Sequence, residues 1–257
     1  MKALIFNSGL GKRMGQLTEN NPKSMVRLDS GETIFERQLR VLKDCGITDF
    51  VITVGPFKEQ LIEVSQREEY RDLKFTFVEN PVYDQTNYIY SMYLAKDYLN
   101  DDFLMLHGDL VFNKELVEEM ISDPIPSICL YNEEKALPEK DFKGRFENGL
   151  LREVSINIFD SDCYAFQPLY KLSKADMNAW LSKVDEFITN GVNSVYAENA
   201  LNRVNTTWGE GWLKANKDNN SVIIYPNDPY AKVYERIWYA SENIRNEALK
   251  DGIFLSF

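Results

Sequence analysis

Histidine is almost missing from this chain: among 257 amino acids only His107 is one. A single imidazole excludes histidine-rich zinc hydrolase centres and any mechanism that needs two histidines, and it leaves Ser-His-Asp chemistry no other histidine to use. Cysteine is scarce too. Cys45, Cys129 and Cys163 are widely separated and odd in number, which excludes a disulfide framework and a metal-ligand spacing, and predicts a reducing, cytoplasmic setting. Cations are outnumbered, with 29 Lys and Arg against 40 Asp and Glu, for a net charge of −11. That balance argues against nucleic-acid or anionic-membrane partners, both of which attract a basic surface. No apolar run approaches the length needed to span a bilayer, and the apolar start is too short for a signal peptide. Internal repeats, low-complexity tracts and interdomain linkers are absent as well.

What is present is ample material for a core, 44% hydrophobic with 13% aromatic residues, in a length that suits a single domain over residues 1–257. The few cations also have a location. Lys12, Arg13, Lys23 and Arg27 gather within one short N-terminal stretch. Ahead of them Lys2 to Phe6 is an almost wholly apolar run, the pattern of a central strand covered on both faces. It breaks into Asn7-Ser8-Gly9-Leu10-Gly11-Lys12-Arg13-Met14-Gly15. Two glycines two apart let the backbone turn sharply and bring N–H groups to a ligand, and the cations that follow suit a polyphosphate. Asn21-Pro22-Lys23-Ser24-Met25 adds a further lysine behind a stiffening proline. The dinucleotide fingerprint G-x-G-x-x-G fails because position 14 is Met14, and the P-loop pattern occurs nowhere. The combination reads as a nucleoside triphosphate cradle.

The rest of the first half alternates strand and helix. Thr33 to Asp44 has helical spacing with Thr33 as N-cap and Gly46 as stop; Asp49 to Val54 is a buried strand closed by Gly55-Pro56. Phe57 to Gln66 is a helix and Leu73 to Val78 a third strand, so a parallel sheet with right-handed crossovers is predicted, with ligands beyond its carboxyl ends. Thr86 and Asn87 open a helix through Leu94, either as caps or as groups that read a ligand; Tyr88 stands beside them. Asp101-Asp102 reads as a solvated turn. The strand Phe103 to Leu106 delivers His107-Gly108-Asp109, where Asp109 serves either as a turn residue or as a ligand of Mg²⁺ that also holds phosphate oxygens. Beyond it, Asn113 to Ser122 reads as a helix, Ser127 to Leu130 as a strand and Leu137 to Arg145 as a charged loop. Gly149 to Ile158 and Cys163 to Leu169 follow as strands of an antiparallel or mixed part, then Ser173 to Thr189 and Val195 to Leu201 as helices. Trp208, Trp212, Tyr230 and Tyr234 either wall a pocket for a cation or fill core.

The strand, Gly9-x-Gly11-x-Arg13 and, about ten residues on, Pro22-Lys23 resemble the signature of the sugar-phosphate nucleotidyltransferase superfamily. Asn7-Ser8 stand where that family usually has two alanines. Tyr83, Asn87, Tyr90, Ser91, Tyr93 and Leu94 resemble bacterial choline-phosphate cytidylyltransferases. The opening Phe6 to Gly11 and the run Ala136 to Phe142 resemble the cytidylyltransferases of Campylobacter capsular phosphoramidate biosynthesis, which join CTP to L-glutamine phosphate. The resemblance implies a mostly parallel Rossmann-like α/β sheet flanked by helices, with residues 1–112 binding nucleotide and 113–257 forming a small mixed α+β acceptor-binding part with a C-terminal extension. It implies a Mg²⁺-dependent cytidylyl transfer, with Arg13 and Lys23 catalytic. Asn7, Ser8, Gly9, Leu10, Gly11, Lys12, Gly55, Asn87 and Gly108 would bind the nucleotide and Glu198 and Tyr88 the acceptor, with Asp109 and Asp228 as metal ligands. Its partners would be CTP and a small phosphorylated acceptor, with a homodimer as a further expectation. L-Glutamine phosphate leads the acceptors, ahead of choline phosphate and 2-aminoethylphosphonate; a UDP- or dTDP-sugar pyrophosphorylase and a non-catalytic nucleotide-binding regulator are the other readings.

Overall fold

A computed structural model describes residues 1–11, 16–28, 30–133, 135–208, 214–217 and 221–223. Strand β1 (Lys2–Asn7) lies at the centre of the parallel half of a nine-stranded sheet. It pairs in parallel with β2 (Asp49–Val54) on one side and β4 (Phe103–His107) on the other, and β3 (Lys74–Glu79) adds in parallel outside β2. Its apolar run is explained by this position: Ala3 and Ile5 point into one core, Leu4 and Phe6 into the other, and all four are buried.

The first core is closed by three helices. Helix α1 (Ile34–Asp44) starts where Thr33 closes a capping box, its Oγ1 accepting from Glu36 N–H at 3.1 Å while Glu36 Oε2 accepts from Thr33 N–H at 2.5 Å. It buries Phe35, Leu39 and Leu42, and α2 (Lys58–Ser65) adds Leu61 and Val64. Helix α4 (Lys114–Ser122), capped by Asn113, adds Leu116, Val117 and Met120. The opposite face is covered by α3 (Tyr88–Ala95), α5 (Lys174–Thr189) and α6 (Glu198–Trp208), with Ile89, Met92, Met177, Trp180, Val184 and Leu201 in the second core. The three cysteines are unpaired. Among the described residues, no helix is long and apolar enough to cross a membrane.

Beyond β4 the sheet turns mixed. The long strand β9 (Cys163–Leu172) runs antiparallel to both β4 and β6 (Ile128–Asn132), and β7 (Lys143–Glu147) and β8 (Leu150–Ser155) form a hairpin whose first strand also pairs with β9. Strand β10 (Lys214–Lys217) joins β6 to β8. A separate pair joins β5 (Leu110–Phe112), which the sequence reading did not mark, to β11 (Ser221–Ile223). The described strands after residue 112 thus extend the same sheet, apart from that pair.

Two expected elements differ. The stretch expected as a charged loop becomes strand β7 from Lys143 onward. Lys143 is buried with its charge satisfied, its Nζ donating to the carbonyls of Pro138 at 2.7 Å and Ile156 at 2.5 Å and lying 4.0 Å from the centre of the Phe159 ring. Burial lowers its pKa, against the opposing charge of Asp141. The last helix starts three residues later than Val195 and continues to Trp208.

Candidate functional site

A cavity of about 230 Å³ opens at the carboxyl edge of the parallel strands. It is floored by the residues at and just past the ends of β1, β3 and β4: Asn7 to Gly9, Asn80, and His107 to Asp109. Strand order β3-β2-β1-β4 makes the gap between β1 and β4 the place where the winding reverses, where α/β sheets open a crevice.

The pieces are set by local chemistry. Gly11 has φ +62°, and a side chain there would meet the Lys23 stem at 2.7 Å, so the loop closes directly on Lys23. Gly108 donates its N–H to the Phe6 carbonyl at 3.0 Å, and a Cβ on it would come within 1.8 Å of Asn7 Oδ1. Asn7, placed where the related signature has alanine, therefore occupies the space above Gly108. The turn that carries Asp109 is held from below by Gln38 of α1, whose Nε2 donates to the carbonyls of His107 at 3.1 Å and Leu110 at 2.8 Å. Across the cavity edge Lys23 Nζ donates to Asp109 Oδ2 at 3.3 Å, both side chains being about one-fifth exposed. An ammonium and a carboxylate in this position can hold phosphate oxygens and a hard cation respectively. One carboxylate together with phosphate oxygens is a donor set that Mg²⁺ accepts, so the residues fit such an ion.

Several expected residues meet here. Asn7, Ser8, Gly9, Lys23, Asn87, Tyr88, Gly108 and Asp109 all line the cavity, as does His107. Ser8 is engaged elsewhere by its hydroxyl, which lies 2.7 Å from Ser91 Oγ; Asn80 Nδ2 donates to Ser91 Oγ at 3.1 Å and to Thr86 Oγ1 at 3.0 Å. Asn87 caps α3, its Oδ1 accepting from Tyr88 N–H at 2.8 Å, and the residue also lines the cavity. Burial pushes His107 down to about 4, opposed by the charge of Asp109, so its imidazole is neutral at pH 7.

Others lie apart. Leu10 and Gly11 shape the loop without lining the cavity, and Gly55 packs beneath the Ser8 carbonyl, which a Cβ would approach to 2.4 Å. Glu198, expected to grip an acceptor amine, does not line the cavity and is not a surface glutamate. It is buried in the second core at the start of α6, with Oε1 accepting from the Tyr170 hydroxyl at 2.8 Å, and burial raises its carboxyl to about 8. Lys12 and Arg13 lie outside the described residues, as do Asp228, Trp212, Tyr230, Tyr234 and the side chain of Trp208. Of the far wall only the run Ala136 to Phe142 had a sequence signal, as part of the family resemblance, and none of its residues was named for the site. Lys140, Asp141, Phe142, Ile156, Pro168 and Tyr196 reach it from segments around the mixed strands, and Lys143 ties two of those segments together through its bonds to Pro138 and Ile156. Asp160, Asp162 and Cys163 also approach one another, but Arg145 already pairs with both carboxylates.

Comparison with known proteins agrees with this geometry. A stretch of 124 residues, 48% of this chain, is 31% identical to the CMP-5'-(3-aminopropyl)phosphonate synthase of Streptomyces rubellomurinus, of which it covers 19%. The choline-phosphate cytidylyltransferase of Streptococcus pneumoniae is 28% identical over 63% of this chain and 56% of its own length. The CTP:phosphoglutamine cytidylyltransferase of Campylobacter jejuni is 27% identical over 48% of this chain and 49% of its own. The chain thus spans from about a fifth to just over half the length of these relatives. In fold it is similar to the solved CTP:phosphocholine cytidylyltransferase of S. pneumoniae, with a TM-score of 0.69 over 87% of this chain and 92% of that one at 24% identity. The MobA-like NTP transferase domain matches residues 3–137, more than half of the chain and the part that holds the loop, Lys23 and Asp109, and the chain belongs to that nucleotidyltransferase family.

Proposed function

We propose that the chain transfers CMP from CTP to a small phosphorylated amino compound and releases pyrophosphate. The observation that carries this reading is the pairing of Lys23 with Asp109 at the rim of the β1–β4 crevice, beneath the glycine loop. An acceptor phosphate oxygen attacks the α-phosphorus in line, the bond to the β-phosphate bridging oxygen breaks, and pyrophosphate departs with that oxygen. No covalent enzyme intermediate is needed, so the work of the chain is positioning and charge stabilisation. In this reading Lys23 holds the α-phosphate and the acceptor, Arg13 the departing phosphates, and the backbone from Ser8 to Gly11 lines the triphosphate. Asp109 would hold Mg²⁺, with Asp228 as a further ligand, and the ion would supply charge neutralisation across the phosphates. Residues 1–112 contribute the nucleotide side, except that Tyr88, with the adjoining His107 ring, stands with Phe142, Ile156, Pro168 and Tyr196 on the acceptor side.

Among acceptors we favour L-glutamine phosphate, a reaction that would belong to capsular phosphoramidate biosynthesis. Choline phosphate and aminoalkylphosphonates follow, as the names of the relatives suggest. The test is pyrophosphate release with Mg²⁺ from CTP, UTP, ATP and dTTP, each against L-glutamine phosphate, choline phosphate, 2-aminoethylphosphonate and glucose 1-phosphate. Turnover with CTP and an amine-bearing acceptor is expected. Turnover confined to UTP or dTTP with the sugar phosphate would make the chain a sugar pyrophosphorylase instead.

A further inference from the structure

Three polar side-chain atoms of cavity-lining residues have no partner: Asn7 Nδ2, His107 Nε2 and the Tyr88 hydroxyl. The last two are both buried, and they belong to neighbouring rings, with centroids 4.8 Å apart and planes at 73°. Both residues line the cavity. The rings around them give no relief. Phe6 stands 5.1 Å from the Tyr88 ring and 5.9 Å from that of His107; Tyr196 lies 6.0 Å from Tyr88, and Phe142 5.0 Å from Tyr196. This row of rings leads from the end of β1 to Phe142 and Tyr196 in the second half of the chain.

A wall of this kind has two possible uses, and the orphaned atoms decide between them. Bare aromatic faces suit a quaternary ammonium, which needs only ring electrons. Both atoms are already closed to water, however, and a trimethylammonium, which carries neither an N–H nor a lone pair, could supply a partner to neither. Buried donors and acceptors are rarely left so. A primary ammonium or an amide has N–H groups to offer both atoms, since a hydroxyl accepts and donates and an imidazole nitrogen accepts in one tautomer.

We propose that His107 and Tyr88 are specificity-determining residues that bind an N–H-bearing group on the acceptor tail, so that this chain takes primary amine or amide acceptors and rejects their quaternary counterparts. The proposal rests on the cytidylyl-transfer reading above for its assignment of the wall to the acceptor. Sites built around a hydrogen bond reject analogues that lack the group by up to about 10⁴–10⁵-fold when enclosed. For this open cavity the expected preference for phosphoethanolamine over phosphocholine, two acceptors that differ only in three methyl groups, is about 10²-fold in kcat/KM.

His107 is the only histidine in the chain, so its imidazole nitrogens give the only histidine side-chain signals in a ¹⁵N NMR spectrum. We would record that spectrum for the ¹⁵N-labelled wild type with Mg²⁺ and the unreactive α,β-methylene analogue of CTP, then add each acceptor. Phosphoethanolamine or L-glutamine phosphate should move the Nε2 signal and phosphocholine should not. In turnover, the Tyr88→Phe and His107→Phe variants keep the rings and should bring the two acceptors to within about tenfold of each other. An equal shift with phosphocholine, a shift complete with the CTP analogue alone, or no shift with any acceptor would each overturn the proposal. These outcomes are read without turnover. Absence of pyrophosphate release from CTP with every acceptor would instead defeat the cytidylyl-transfer reading.

Discussion

Asp109 and Lys23 stand 86 positions apart in sequence and 3.3 Å apart in space. Each was legible by itself, because a carboxylate after a buried strand and a lysine after a proline are local patterns. If Lys23 neutralises charge that grows on the phosphates, Lys23→Met should lower kcat by about 10²–10³-fold while the thermal melt stays near wild type. Steady-state pyrophosphate release beside a melting curve checks both halves. Glu198 teaches the opposite lesson. Nothing in Ala197-Glu198-Asn199 announces burial, which is imposed by Tyr170, 28 residues earlier, and by the core around it. Its carboxyl is raised from 4.5 to about 8, so the folded protein keeps a proton that the unfolded chain gives up. The stability this contributes is complete below about pH 4.5 and is lost as pH rises towards 8. Glu198→Gln removes the titration. Relative to the wild type, that variant should gain in melting temperature between pH 5 and pH 8; a constant difference across that range would contradict the assignment.

At the scale of elements, α1 was readable at both ends. Thr33 makes the capping box with Glu36, and Gly46 follows the helix at φ +83°. Thr33→Ala removes the bond to Glu36 N–H and should destabilise the protein by about 1 kcal/mol, measured as a lower urea midpoint at unchanged slope. Strand β7 was hidden for a physical reason. Its first residue is a lysine, normally a sign of solvent, and the carbonyls of Pro138 and Ile156, which only the fold brings to its ammonium, make its burial tolerable. Longer separations in sequence hide most of the far cavity wall. Phe142, Ile156, Pro168 and Tyr196 meet only because antiparallel strands fold back beside β4, and no short motif records that return.

Across the whole molecule, the parallel half of the sheet followed from alternating apolar runs and helical spacing, and it fixes where a ligand can enter. For the mixed half, β6, β8 and β9 were readable as strands but their pairing was not, since β9 pairs with β4, β6 and β7 at once and its partners lie up to about 70 residues away in sequence. The acidic surface fits a chain that keeps a few cations for one anionic ligand. Its net charge is −11, yet Lys23 and Lys140 both face the crevice. The central claim is that this crevice exchanges pyrophosphate for an acceptor phosphate on the α-phosphorus of CTP. The most direct measurement is a ³¹P NMR time course of CTP, Mg²⁺ and L-glutamine phosphate or phosphoethanolamine with the protein. The account predicts that the triphosphate signals decay while pyrophosphate and a CMP–acceptor diphosphate linkage grow in equal amounts. Release of inorganic phosphate with CDP, or CTP left intact beside every amine-bearing acceptor, would contradict it.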